Sequence, residues 1–128
     1  SDTVADAMQR LSRPDPTLKL IYLSSKRHTD AEVAELADCL LAHPDVATHV
    51  ILGRNRLTDE TGVKLARYVA ASSTVEYLDM LYNQLGSATY LALAAALRVN
   101  TSLRHLSVYG NQAEDKSRID AAFVSALR

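Results

Sequence analysis

Apolar residues along this chain follow two alternating rhythms. In "VEYLDMLYNQL" (75–85), Val75, Leu78, Met80 and Leu85 are apolar and Asn83 interrupts them. Leu78 and Met80 are two apart, the spacing that puts side chains on one face of a strand. The same pattern recurs in "ATHVILGRNRL" (47–57) and "LRHLSVYGNQA" (103–113), with Asn55, Asn83 and Asn111 at a constant period of 28. A fainter copy, "LKLIYLSSKRH" (18–28), keeps Leu18, Ile21 and Leu23 but has Lys26 in place of Asn. The second rhythm is helical, with apolar residues at i, i+1 and i+4. Leu36, Leu65, Leu93 and Phe123 correspond, as do Ala37, Ala66, Ala94 and Val124, and Leu40, Val69, Leu97 and Leu127. Thr29 with Glu32 reads as a capping box, and Thr58-Asp59 supplies an N-cap for the next helix. Each unit is thus a short strand, a tight turn and a helix. Neither piece buries its apolar face alone, so the units must stack, strands in a parallel sheet and helices behind it.

Ahead of the repeats, Val4, Ala7, Met8 and Leu11 have helical spacing before Pro14 and Pro16 break the segment. Residues 1–16 read as a capping helix and linker, and residues 17–128 as four repeats of one domain. The fourth unit departs from the others, with Ala113 at its last repeat position and extra residues in "AEDKSRID", which predicts a longer loop.

The pattern LxxLxLxxNxL at a period of 28–29 residues resembles the ribonuclease-inhibitor type of leucine-rich repeat. Similar repeats occur in NOD-like receptors, Ran GTPase-activating proteins and the C-terminal domain of tropomodulin. The resemblance implies an α/β fold, a short right-handed β/α solenoid with about four parallel strands inside and helices outside. It also implies that Asn55, Asn83 and Asn111 bond to backbone groups in the turns leaving the strands, where N–H and C=O lack ladder partners. Lys26 cannot take that role, so the first turn is expected to be looser or different.

Composition narrows the function. With 128 residues, 48% hydrophobic and 23% charged, the chain is an ordinary globular domain. Its net charge of −1 gives no general affinity for nucleic acid or anionic membrane. Cys39 is the only cysteine, so no internal disulfide is possible. That favours a reducing, cytoplasmic setting, with Cys39 as a small residue in a buried helix. No phosphate-binding glycine loop occurs among the four glycines. His49 and His105 fall on strands two and four, about 10 Å apart at about 4.8 Å per strand, with Asp79 able to sit between them. No further ligand or nucleophile joins them, so neither a metal site nor an enzyme is expected, and no cofactor. The acidic first helix (Asp30, Glu32, Glu35, Asp38) reads as a solvated face.

The positions left free by the repeat carry the candidate site. Between the buried strand residues lie Leu20, His49, Tyr77 and His105, then Tyr22, Ile51, Asp79 and Ser107, then Leu81, Tyr82 and Tyr109 in the following turns. Tyrosine favours strands for its own sake, but Leu20, Ile51 and Leu81 share this surface, and a merely solvated face has no reason to collect them. Exposed Tyr with aliphatic neighbours suits a protein interface. The expected role is a non-catalytic protein-binding module using this concave face. The alternative is a structural spacer or capping segment of a larger cytoskeletal or signalling protein. Lys26, Arg27, His28, Arg54 and Arg56 form a basic rim; solvation is its preferred account, an acidic segment of a partner the other, and nucleic acid a weaker version of that. Beyond the fourth strand no further strand follows, so the chain is expected either to continue past Arg128 or to self-associate through that edge.

Overall fold

A computed structural model describes residues 3–13 and 15–112. The order is α1 (Val4–Ser12), β1 (Leu20–Tyr22), α2 (Asp30–Ala42), β2 (His49–Ile51), α3 (Asp59–Ala71), β3 (Tyr77–Asp79), α4 (Ser87–Leu97) and β4 (His105–Ser107). The strands form one sheet in chain order, and every neighbouring pair is parallel. Equivalent residues stand abreast: Ile21, Val50, Leu78 and Leu106 form one row, flanked by the rows beginning at Leu20 and at Tyr22. Among the described residues, α2 packs between α1 and α3, and α4 against α3.

Alternation decides which face is covered. Ile21, Val50 and Leu78 are fully buried, as are Leu18, Ala47 and Val75 before them and Leu23, Leu52 and Met80 after them. The helices answer with Val33, Leu36 and Leu40 from α2, Leu65 and Val69 from α3, and Leu93 from α4. In the fourth unit Leu103, Leu106 and Val108 are only partly buried. The helix predicted to follow, with Phe123, Val124 and Leu127, lies outside the described residues, as do Ala113 and the expected longer loop. At the other end, α1 buries Ala7 and Leu11 against the first unit, and its Arg10 pairs with Asp15 at 2.9 Å. Cys39 is half-buried against the core.

Each asparagine joins two turns. Asn83 Nδ2 donates to the carbonyls of Met80 and Leu81 in its own turn and of Leu52 in the turn before, while its Oδ1 accepts from Leu57 N at 3.0 Å. Asn111 repeats this one unit on, accepting from Asn83 N and Leu85 N. Asn55 Oδ1 accepts from Lys26 N and His28 N at 3.3 and 2.9 Å. The first turn therefore is not loose despite lacking its own asparagine, because the next unit supplies one. It does differ, with Arg27 at φ 55° in addition to Ser25 at φ 60°.

Two expectations about the helix starts are corrected. Thr29 makes no side-chain cap bond. Its hydroxyl donates to Glu32 Oε1, whose carboxylate also binds His28 Nδ1 at 2.8 Å, so the pair closes on itself instead of capping the helix. Thr58 does cap α3, accepting from Glu60 N. Nor is Asp30 part of a solvated face. It reaches the next unit and accepts from Thr58 N, the Thr58 hydroxyl and the Thr61 hydroxyl. Glu32, Glu35 and Asp38 are exposed as expected, and Asp38 pairs at the surface with Lys64 at 3.1 Å.

Candidate functional site: the open face of the sheet

Because the helices cover one face of the sheet, the two residues flanking the buried centre of each strand, Leu20 and Tyr22 in β1 and their counterparts in β2 to β4, are left on the open face. Tyr22 and Leu20 are nearly half exposed, while His49, Ile51, Tyr77 and Asp79 are half-buried and His105 is exposed. Parallel pairing in register brings the three central rings into a column. Tyr77 stacks on His49 at 5.7 Å between ring centroids and 16° from parallel, and on His105 at 4.4 Å and 11°. Tyr77 thus fills the place between the two histidines where Asp79 was considered. Asp79 lies in the adjacent row, and its Oδ1 accepts from Leu81 N at 3.0 Å.

His49 is held at its near edge by Thr48, whose Oγ1 lies 2.9 Å from His49 Nδ1 and 3.0 Å from Lys19 O.

The turns after the strands extend the surface. Tyr82 and Tyr109 meet edge to face at 5.7 Å, and the Arg54 guanidinium lies over the Tyr82 ring at 4.6 Å. Leu81 lies half-buried beside them, at the position equivalent to Gly53 and Tyr109. Gly53 sits close beneath the next unit, where a Cβ would come to 3.0 Å from Asp79 Oδ1 and 3.3 Å from Leu81 O. Lys26, Arg27 and Arg56 are exposed, and among the described residues no ion pair involves them or Arg54. His28 differs from the rest of the rim, being tied to Glu32.

Two polar features were not anticipated from the sequence. One is the pair of cross-unit aspartates, Asp30 and Asp59; the latter accepts from Gly86 N, Thr89 N and the Thr89 hydroxyl. Burial opposes ionisation of both, but the hydroxyl and amide bonds outweigh it, and each carboxyl is held below its ordinary value. The other is the left-handed backbone at Arg54 and Tyr82, with φ of 58° and 51°. Their side chains give no hint of it, since such positions ordinarily favour glycine.

Chemically the face is poor in groups that act together. Among the described residues no cluster of three or more His, Cys, Asp or Glu could hold a metal ion, and no helix is long and apolar enough to cross a membrane. A depression of about 270 Å³ lies on the opposite side, between α3 and α4, and is lined mainly by alanines.

No sequence-family model matches the chain, and no curated protein matches it. Solved structures do. A structure titled leiomodin-1 actin-binding site 2 superposes with a TM-score of 0.81 at 18% identity, covering 95% of this chain and 73% of that one. The tropomodulin C-terminal domain of Caenorhabditis elegans superposes with a TM-score of 0.66 at 15% identity, covering 97% and 90% respectively. With four parallel strands in one sheet, helices behind them and these neighbours, the chain has the leucine-rich-repeat solenoid fold that its repeats resemble.

Proposed function

We propose that this chain is a non-catalytic protein-interaction module whose partner lies on the open face of the sheet, with actin as the first partner to test. One observation carries the reading: the His49–Tyr77–His105 column and the Tyr82–Tyr109 pair form an ordered aromatic surface on the side of the sheet that no helix of the described residues covers. Rigid rings that keep one polar edge are suited to contact a protein, because they bury much apolar area while losing little side-chain freedom. An open curved sheet excludes water poorly, and Asp79, the acid on the face, is committed to the Leu81 amide. Both points favour binding over catalysis. Actin enters because the leiomodin-1 structure with this fold is titled an actin-binding site. An intracellular location belongs to the same proposal.

The test is titration of monomeric actin, and co-sedimentation with actin filaments, using the wild type, Tyr77→Ala and Tyr109→Ala. Loss of an interface anchor costs about 2 kcal/mol or more, a drop of roughly thirtyfold in affinity. A wild-type protein that binds neither form removes actin as the partner. Bound actin whose affinity is unchanged in both variants removes the open face as the site.

A further inference from the structure

We propose that the turn corner formed by Arg54, Tyr82 and Tyr109, with Lys26, Arg27 and Arg56 beside it, receives an acidic peptide segment of the partner, with a carboxylate held by Arg54. This rests on the protein-binding reading above and names the chemistry of the partner.

The first observation is conformational. Ser25, Arg54, Tyr82 and Gly110 are equivalent positions of successive units, and all four have left-handed backbone, with φ of 60°, 58°, 51° and 81°. Glycine adopts this conformation without penalty, whereas a bulky side chain does so at a cost. The solenoid therefore tolerates glycine here, as Gly110 demonstrates, yet two units carry Arg and Tyr. Core packing does not account for them, because Arg54 is exposed and Tyr82 is 43% exposed. Large side chains kept on strained, exposed backbone point to use at the surface.

The second observation is geometric. The Tyr82 ring lies over Gly110, where any Cβ would run into the ring carbons, and it meets the Tyr109 ring edge to face. The Arg54 guanidinium carbon in turn lies 4.6 Å from the centre of that ring. A guanidinium over an aromatic ring can still offer two parallel N–H bonds to a carboxylate, the geometry arginine matches best.

Charge supplies the third. Among the described residues Glu32 is paired with His28, and Asp79 accepts from the Leu81 amide. Lys26, Arg27, Arg54 and Arg56 form no ion pair among those residues, on a chain whose net charge is −1. A protein carboxylate fits better than nucleic acid. Single strands bind across several open aromatic faces, whereas here Tyr77 is stacked on both sides and Tyr82 carries Arg54, which leaves Tyr109 as the open ring of the corner.

The experiment uses a fluorescein-labelled peptide of alternating Glu and Leu, the same peptide with Gln for Glu, and a labelled oligo-dT of equal charge. Fluorescence anisotropy is read with the wild type, Arg54→Gly and Lys64→Ala, the last a cation on the helix side. Arg54→Gly suits the left-handed backbone, so its melting temperature stays level or rises. The Glu peptide binds the wild type in a salt-sensitive manner, and binding falls roughly tenfold or more in Arg54→Gly and with the Gln peptide, while Lys64→Ala leaves it unchanged. No binding of the Glu peptide, equal binding of the Gln peptide or oligo-dT, an unaffected Arg54→Gly, or an equal loss in Lys64→Ala would each overturn the proposal. Should the peptide fail while actin binding still depends on Tyr77, the acidic-segment inference falls and the open-face reading stands.

Discussion

Asp59 in the first turn of α3 holds Thr89 in the first turn of α4, its Oδ1 accepting the threonine hydroxyl at 2.6 Å and the amide at 3.1 Å. Asp30 does the same one unit earlier for Thr58 and Thr61. Each carboxylate thus ties the start of one helix to the start of the next, where N–H groups lack helical partners.

These two groups predict a specific acid sensitivity. Both carboxyls are depressed below the ordinary value of 3.8 on folding. A depressed carboxyl contributes stability that is complete above its unfolded pKa and is lost as pH falls through the folded value. Stability should therefore decline as pH drops below about 4, and the Asp30→Asn/Asp59→Asn protein should lose part of that slope. At neutral pH the double variant should be less stable by roughly 1 kcal/mol per site, a modest figure because both carboxylates stay partly open to water. Urea midpoints from pH 7 downward measure this, and parallel profiles for the two proteins would contradict it.

A second expectation concerns the asparagines. Asn83→Ala leaves Leu57 N without its side-chain acceptor, at a cost of roughly 1–3 kcal/mol, while Leu52 O and Met80 O lose one donor each and keep Asn55 and Asn111. Asn55→Ala should cost a similar amount through Lys26 N, His28 N and Leu23 O, although those groups belong to the unit before. Lys26→Ala, which trims an exposed side chain, should change little. Equal denaturation midpoints for Asn83→Ala and Lys26→Ala would refute the division of labour between these positions.

Much of this architecture could be read from the sequence because it is written in local periodicity. Strand alternation at Leu78 and Met80, helix spacing at Leu65 and Val69, and the recurring asparagine each need only a short window. Part of what the sequence hides depends on contacts 26–32 residues apart. Asp30 looks like any acid in a first helical turn until Thr58 is stacked on it. The Thr29–Glu32 spacing suggested a cap, but His28 draws the carboxylate away. On the open face, sequence placed Leu20, His49, Tyr77 and His105 in one row, yet not the ring stacking, which depends on rotamers. The left-handed turns were hidden for the opposite reason: Arg54 and Tyr82 are side chains that ordinarily argue against such backbone.

Close packing between α3 and α4 gives a third prediction. Gly62 occupies the position held by Val33 in α2, and a Cβ there would collide with the Thr89 side chain and approach Leu85 Cδ2 to 2.9 Å. Gly62→Ala should destabilise by about 1–3 kcal/mol through overpacking, despite alanine's better helix propensity. In a thermal-melt cycle with Thr89→Ala the two losses should not add, since the second substitution removes the obstruction. Strict additivity would show that the two side chains do not meet.

The central claim, that a partner occupies the open face, is tested most directly by photocrosslinking with benzoylphenylalanine placed in turn at Tyr77, at Tyr109 and at Val99, which is 65% exposed. With actin present, or any partner found in its place, positions 77 and 109 should each yield a discrete adduct mapped to one region of that partner, and position 99 none. Adducts formed from Val99 as readily as from Tyr77, or from Val99 alone, would contradict the account.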